Sequence, residues 1–313
     1  MTQKPKVIVI CGPTASGKTA LSIELAKRIN GEIVSADSMQ IYKDMNIGTA
    51  KPTKEEMQGI KHYLIDFVSP DKRYSVAQYK KDAKQAINEI LKKGKYPIVV
   101  GGTGLYVDSL IYEIEYDDIK LDENYRKELE KIAEEQGLEK LYNMALKIDP
   151  IAMKKISKND KKRIMRILEI YKATGKTKTE QEIESRKRPI EYDYKVFAIN
   201  WNREELYQRI NKRVDIMIKQ GLIDEVKNIL QKYNTFPTAM QGLGYKEVVE
   251  YLNGNCTKEE MIEKIKMETR RFAKRQLTWF RKNKQTIWLD GTNDIQNNVN
   301  IILEGIKFEE EYN

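Results

Sequence analysis

The chain is 313 residues long, enough for one large α/β domain or for a core carrying a smaller inserted domain, and too long for a disulfide-stapled miniprotein. Hydrophobic residues make up 40% of it and charged residues 33%, the balance of a folded, highly charged chain rather than a disordered one. Lys and Arg outnumber Asp and Glu by 56 to 47, a formal net charge of +9, which favours polyanions such as nucleic acid or phosphorylated substrates without naming one.

Cys11 and Cys256 are the only cysteines, far apart and outside any CxxC or Cys/His pattern, which predicts two buried thiols in a reducing cytosol. His62 is the only histidine. Multi-His and HExxH zinc sites are therefore excluded, and a Ser-His-Asp triad would hang on one residue whose simpler role is local hydrogen bonding. The apolar run at 7–11 is too short for a signal-peptide core and no stretch approaches a membrane span, so the expectation is a cytoplasmic protein with no membrane partner.

In chain order, the β-branched run at 6–11 predicts a strand buried on both faces of a parallel sheet. A glycine-rich loop follows, then a helix with Leu21, Leu25 and Ile29 on one stripe, stopped by Asn30-Gly31. Residues 32–36 read as a second strand, 77–91 as a helix stopped by Gly94, and 96–100 as a third strand. From 116 to 191 the chain is dense in Lys and Glu and keeps helical spacing, as in Leu129, Ile132, Leu138 and Leu141, then Ile164, Ile167, Leu168 and Tyr171. Strand character returns at 195–200, helices follow at 204–219, 222–232 and 258–282, and 286–289 reads as a last strand. Strands alternating with helices predict an α/β fold with a doubly wound parallel sheet. The core is then discontinuous, 1–115 with 192–313, and 116–191 is an inserted all-helical domain.

Gly12-Pro-Thr-Ala-Ser-Gly-Lys-Thr19 satisfies the Walker A pattern and lies between a predicted strand and a predicted helix, as a nucleotide-binding P-loop requires. The glycines let successive N–H groups converge on phosphate oxygens at the positive end of the helix. Lys18 would neutralise the terminal phosphate and the Thr19 hydroxyl would bind Mg²⁺. Such a loop is compatible with ATP binding and with a kinase. The strand at 96–100, however, runs into Gly101-Gly-Thr-Gly104 and offers no carboxylate for a conventional second Mg²⁺ contact, which weighs against a motor or switch ATPase.

Two more loops belong to the same sheet edge. Asp37 follows the second strand directly, where ligands of open α/β folds collect, and before Ser38-Met39-Gln40 it equally suits a helix N-cap. Gly101 to Gly104 suits either a site or a tight strand-to-helix turn.

Taken together, Gly12 to Thr19, Asp37 to Gln40, Gly101-Gly-Thr-Gly-Leu-Tyr106, Asn159-Asp160 with Arg163 and Arg166, Gln241-Gly-Leu-Gly-Tyr245, and Arg271 to Arg281 resemble the tRNA dimethylallyltransferase family, in order and over nearly the whole chain. The resemblance implies a P-loop NTPase-like fold and transfer of a dimethylallyl group from dimethylallyl diphosphate to N6 of the adenosine just 3′ of the anticodon, with diphosphate released. It implies that Gly12, Pro13, Thr14, Ala15, Ser16, Gly17, Lys18 and Thr19 grip the departing diphosphate, with Mg²⁺ on Thr19. Asp37 would be the general base, and Thr103 the contact at the reaction centre. Arg213 is the candidate for a second diphosphate clamp, with Arg209 of the same helix as its rival and a solvated helix face as the plain reading of either.

For tRNA, the resemblance points to Asp37, Ser38, Met39, Gln40, Thr103 and Arg126, and to Lys162, Arg163, Ile164, Met165 and Arg166 in the insertion, as holding the anticodon stem and loop. Lys161 stands where many members of the family have proline, so the helix beginning there is expected to differ. Arg271, Lys274 and Arg275, interleaved with aromatic residues on the long helix, suit phosphates and base stacking. A basic solvated face above an aromatic core face would give the same string. A monomer acting on tRNA and dimethylallyl diphosphate is the overall expectation, and a P-loop small-molecule or nucleic-acid kinase is the alternative.

Overall fold

The computed structural model describes residues 4–115, 122–185 and 187–307. Residues 116–121, where the sequence places the start of the insertion, lie outside them. From β1 (Lys6–Cys11) the chain runs through α1 (Lys18–Ile29), β2 (Gly31–Ser35), α2 (Lys54–Met57), β3 (His62–Tyr63), α3 (Val76–Lys92), β4 (Tyr96–Gly101) and α4 (Gly104–Ile111). An all-helical stretch follows: α5 (Glu123–Gln136), α6 (Leu138–Ile148), α7 (Pro150–Met153), α8 (Lys161–Thr174) and α9 (Lys178–Ser185). The sheet resumes with β5 (Asp193–Asn200), then come α10 (Arg203–Lys219), α11 (Leu222–Lys232), α12 (Tyr245–Leu252), α13 (Lys258–Phe280), β6 (Ile287–Asp290) and α14 (Ile295–Lys307).

The six strands make one sheet in the order β3-β2-β4-β1-β5-β6, and every pairing is parallel. This is the parallel α/β fold that the alternating strands and helices predict. Ile8, Ile10, Ile33 and Ile98 pack with Leu21, Leu25, Val299 and Ile302 from α1 and α14. Val7, Val9, Val34 and Val99, of opposite parity, are equally buried outside that cluster, and α3 packs on β2 and β4. Continuous apolar runs are what a sheet covered on both faces requires. A second core joins Ile41, Tyr42 and Met45 to helices α10 to α13.

The backbone divides into two compact units, Met1–Val107 with Glu191–Asn313, and Asp108–Ile190. The helical unit keeps its own core, in which Leu129, Leu141, Ile164, Met165 and Leu168 are buried. No helix among the described residues is long and apolar enough to cross a membrane. Cys11 is buried, but Cys256 is only half-buried, which corrects the expectation of two buried thiols. His62 holds a local hydrogen bond, its Nδ1 lying 2.8 Å from the Ile60 carbonyl.

Candidate active site

Because β4 lies between β1 and β2, the loops after all three strands meet at one carboxyl edge, around a cleft of about 820 Å³. The first loop, 12–17, owes its shape to three positive-φ residues, Gly12 at φ 141°, Ala15 at φ 61° and Gly17 at φ 96°. Four of its carbonyls accept from side chains. Lys18 folds back so that Nζ donates to the carbonyls of Gly12 (3.1 Å) and Pro13 (2.6 Å). Arg209 Nε donates to the Ala15 carbonyl at 2.8 Å and Trp201 Nε1 to the Ser16 carbonyl at 3.0 Å. The Arg209 guanidinium also lies over the Trp201 ring, 4.2 Å from its centroid.

In a trans peptide the C=O and the following N–H point in opposite directions. Tying the carbonyls of Ala15 and Ser16 outward therefore aims the N–H groups of Ser16 and Gly17 into the cleft. Among the described residues, no protein acceptor takes either N–H, and the buried Ser16 hydroxyl has no partner. Unpaired donors at the head of a helix can cradle an anion. Burial, and then the like charge of Arg213, lowers the Lys18 pKa to about 8, while Asp37 works against that shift. Arg213 is likewise held below its ordinary value by burial, with Asp37 again opposing. Unlike Arg209, it gives no hydrogen bond to any described residue, so its guanidinium is available to a ligand in the cleft it lines.

The second loop centres on Asp37. Its Oδ1 accepts from the backbone N–H of Met39 (2.9 Å) and of Gln40 (3.2 Å). The capping role suggested by sequence is thus present, although 38–41 form turns rather than a helix. Oδ1 is thus pinned, Oδ2 takes no hydrogen bond from the described residues, and Asp37 lines the cleft. Ser38 N–H donates to Thr103 Oγ1 at 3.0 Å, and that hydroxyl donates to Ser38 Oγ at 3.2 Å, which joins the loop after β2 to the loop after β4. The Gln40 amide is spent within the protein, donating to the carbonyls of Thr49 and Ala50 at 3.1 Å each. Met39 lines the cleft.

On α13, Ala273, Gln276 and Phe280 form the buried stripe, while Arg271, Lys274 and Arg275 are exposed. Arg275 lines the cleft with Phe272 and lies 5.8 Å from that ring. This helix is therefore a core element with a basic outer face.

In the helical unit, Lys162 and Arg163 are exposed and Arg166 is half-buried. Arg126 and Arg166 both reach the buried Glu169, at 3.0 and 3.6 Å. Ile164 and Met165, expected on the nucleic-acid side, are core residues at 0% and 2% exposure. The reason is the helical period, which turns these two positions of α8 inward. Helix α8 begins at Lys161, and Asp160 caps it by accepting the Arg163 N–H at 3.1 Å.

Two supporting residues escape a reading of the sequence. Trp201 braces the first loop together with Arg209, which the sequence offers only as a rival clamp, and the Glu225 carboxylate accepts from the N–H of Asn46, Ile47 and Gly48 and from the Tyr245 hydroxyl, at 2.6 to 3.1 Å. Tyr245 ends the Gln241-Gly-Leu-Gly-Tyr245 motif, the one local signal for this contact.

A family model described as IPP transferase matches residues 40–283, a span that begins just beyond the first loop and Asp37. The tRNA dimethylallyltransferase of Acetivibrio thermocellus is 54% identical over 285 residues, 91% of either chain. That of Caldanaerobacter subterraneus subsp. tengcongensis is 51% identical over 279 residues, covering 88% of this chain and 89% of that one. Among solved structures, the full-length tRNA isopentenylpyrophosphate transferase of Bacillus halodurans superposes with a TM-score of 0.73 at 42% identity, covering 99% of both chains. A eukaryotic dimethylallyltransferase acting on tRNA gives a TM-score of 0.81 at 33% identity, covering 97% of this chain and 80% of that one.

Proposed function

The chain belongs to the IPP transferase family, and we propose that it transfers a dimethylallyl group from dimethylallyl diphosphate to N6 of the adenosine 3′-adjacent to the anticodon in tRNA, releasing diphosphate. One observation carries this reading: a cradle of unpaired amides and a carboxylate pinned by a single oxygen line the same cleft. An in-line displacement needs a leaving-group site and a proton acceptor on opposite sides of the reacting carbon. The allylic C–O bond breaks with its electron pair going to diphosphate, the N6–C bond forms, and Asp37 Oδ2 takes the N6 proton. Lys18, Arg213 and the N–H groups of Ser16 and Gly17 offset the charge that grows on the departing diphosphate.

Among the described residues no group of three acidic, His or Cys side chains could hold a metal; the Thr19 hydroxyl would help hold Mg²⁺ together with the donor, and the ion would supply positive charge to the leaving diphosphate. Each unit has a basic helix face that would contact tRNA, on α13 in one and on α8 in the other, and the unstacked adenine of an anticodon loop is cheaper to extrude than a paired one. Two free cysteines suit a reducing cytoplasm, and monomeric action completes the reading.

A kinase would use the same loop differently. Against it, the strand beside β1 ends in Gly101-Gly102-Thr103 and brings no carboxylate to the phosphate end. Incubation with unmodified tRNA, Mg²⁺ and dimethylallyl diphosphate, followed by mass spectrometry of the nucleosides, should show N6-dimethylallyladenosine. Phosphoryl transfer from ATP without prenylation would favour the kinase instead.

A further inference from the structure

We propose that Gln276 is a positioning residue for this transfer, setting the spacing between the diphosphate cradle and the loop that carries Thr103; the inference rests on the prenyl-transfer reading above. The β1–β4 ladder ends at the pair Cys11 and Gly101. One residue further on, the two loops part, and no backbone bond crosses between them. The Gln276 side chain, 6% exposed, fills the gap: Oε1 accepts the Thr14 N–H at 2.9 Å and Nε2 donates to the Gly102 carbonyl at 2.9 Å. Its amide extends the ladder as an inserted peptide group would. The orientation of the amide follows from its partners, because the reverse would set donor against donor at Thr14 and acceptor against acceptor at Gly102.

Gly102 is shaped to this contact. A Cβ there would lie 2.3 Å from Gln276 Nε2, whereas its other near neighbour, the Gly12 carbonyl, is at an ordinary 3.5 Å. Strand pairing fixes the roots of the loops, so the tips are where a leaving group on one loop and an acceptor on the other can drift apart. A misplacement of about 1 Å between reacting groups costs about 10²-fold in rate. Gln276 also rides on the helix whose outer face carries Arg271, Lys274 and Arg275, yet it points inward, so its loss should spare tRNA affinity.

The test is a double-mutant cycle on the full chain, with single-turnover transfer to tRNA at saturating dimethylallyl diphosphate. Gln276→Ala is expected to lower the rate about 10²-fold and to leave tRNA affinity nearly unchanged. Gly102→Ala should cause a similar loss alone and none beyond it in the Gln276→Ala background, where the clashing atom is gone. Hydrogen exchange at the Thr14 amide should quicken in Gln276→Ala, a readout independent of turnover. Gln276→Glu, equal in size, keeps the Thr14 bond but loses the donor to Gly102, and is expected to be slowed about 10-fold even if the alanine variant does not fold. A wild-type rate in the folded Gln276 variants, or losses that multiply in the double variant, would overturn the proposal. Wild-type protein that prenylates no tRNA would instead remove the functional reading, while the exchange measurement would still test the clamp.

Discussion

Ser38 and Thr103, on loops that follow different strands, exchange two hydrogen bonds through one hydroxyl: Thr103 Oγ1 accepts the Ser38 N–H at 3.0 Å and donates to Ser38 Oγ at 3.2 Å. That hydroxyl fixes the turn bearing Asp37 against the end of β4. Thr103→Ser keeps the oxygen and is expected to stay within about threefold of the wild-type rate, whereas Thr103→Ala should lose about 10-fold to 10²-fold. Steady-state kinetics at saturating tRNA separate the two. An alanine variant as fast as the serine one would show that the hydroxyl positions nothing.

Asp37→Asn separates the two oxygens of one side chain. The amide oxygen can still accept from Met39 and Gln40 N–H, so the turn should persist while the proton acceptor is lost. The expected rate loss is about 10²-fold to 10⁴-fold, with melting temperature and tRNA affinity nearly unchanged. Asp37→Ala should add a loss of stability of about 1 kcal/mol from the two released amides. Retained turnover in Asp37→Asn would remove this residue from the role of base.

Much of this edge is legible in the sequence because its signals are local. A β-branched run ending in glycine marks a buried strand and its exit, so the residue pattern alone puts the first loop, Asp37 and Thr103 on one sheet edge. Elements with weak local patterns escape. β3 has only two residues. Helix α14 reads Ile-Gln-Asn-Asn-Val-Asn at its start, poor in helix formers, and is held by Val299 and Ile302 against the sheet core. Adjacency groups Ile164 and Met165 with their charged neighbours, although the turn of α8 separates them. Gln276 and Trp201 act across more than 170 residues of chain, and no spacing rule reports such contacts.

The pH dependence of donor binding should reveal Lys18. In the free protein its pKa is lowered to about 8, chiefly by burial, and a bound diphosphate favours the protonated form. Affinity for a non-reactive thio-analogue of the donor is therefore expected to be flat just below pH 8 and to fall about tenfold per unit above it. Lys18→Ala should bind weakly without that break. The stability sign is the reverse of a salt-bridged lysine: with the folded value below the unfolded one of about 10.4, the free protein gains stability as pH rises from about 8 towards 10. Comparing wild type with Lys18→Met by denaturant titration isolates this contribution. A binding curve with no break between pH 7 and 9 would contradict the buried, charged amine.

In the helical unit, exposure decides which arginines can be removed cleanly. Arg163 has a 69% exposed side chain and pairs at 3.1 Å with Asp160, three residues earlier. Exposed pairs of this kind contribute little, so Arg163→Ala should change stability by less than about 0.5 kcal/mol. Arg126 and Arg166 instead converge on Glu169, whose side chain is 6% exposed. Glu169→Gln removes the charge that holds both guanidinium groups, and is expected to cost about 1–3 kcal/mol. If α8 meets the tRNA backbone, Arg163→Ala should weaken binding and reduce the slope of log affinity against log salt by about one, since one phosphate contact is lost. Anisotropy titrations between about 50 and 200 mM salt measure that slope. An unchanged slope in Arg163→Ala, with the fold intact, would move the nucleic-acid contact off this helix face.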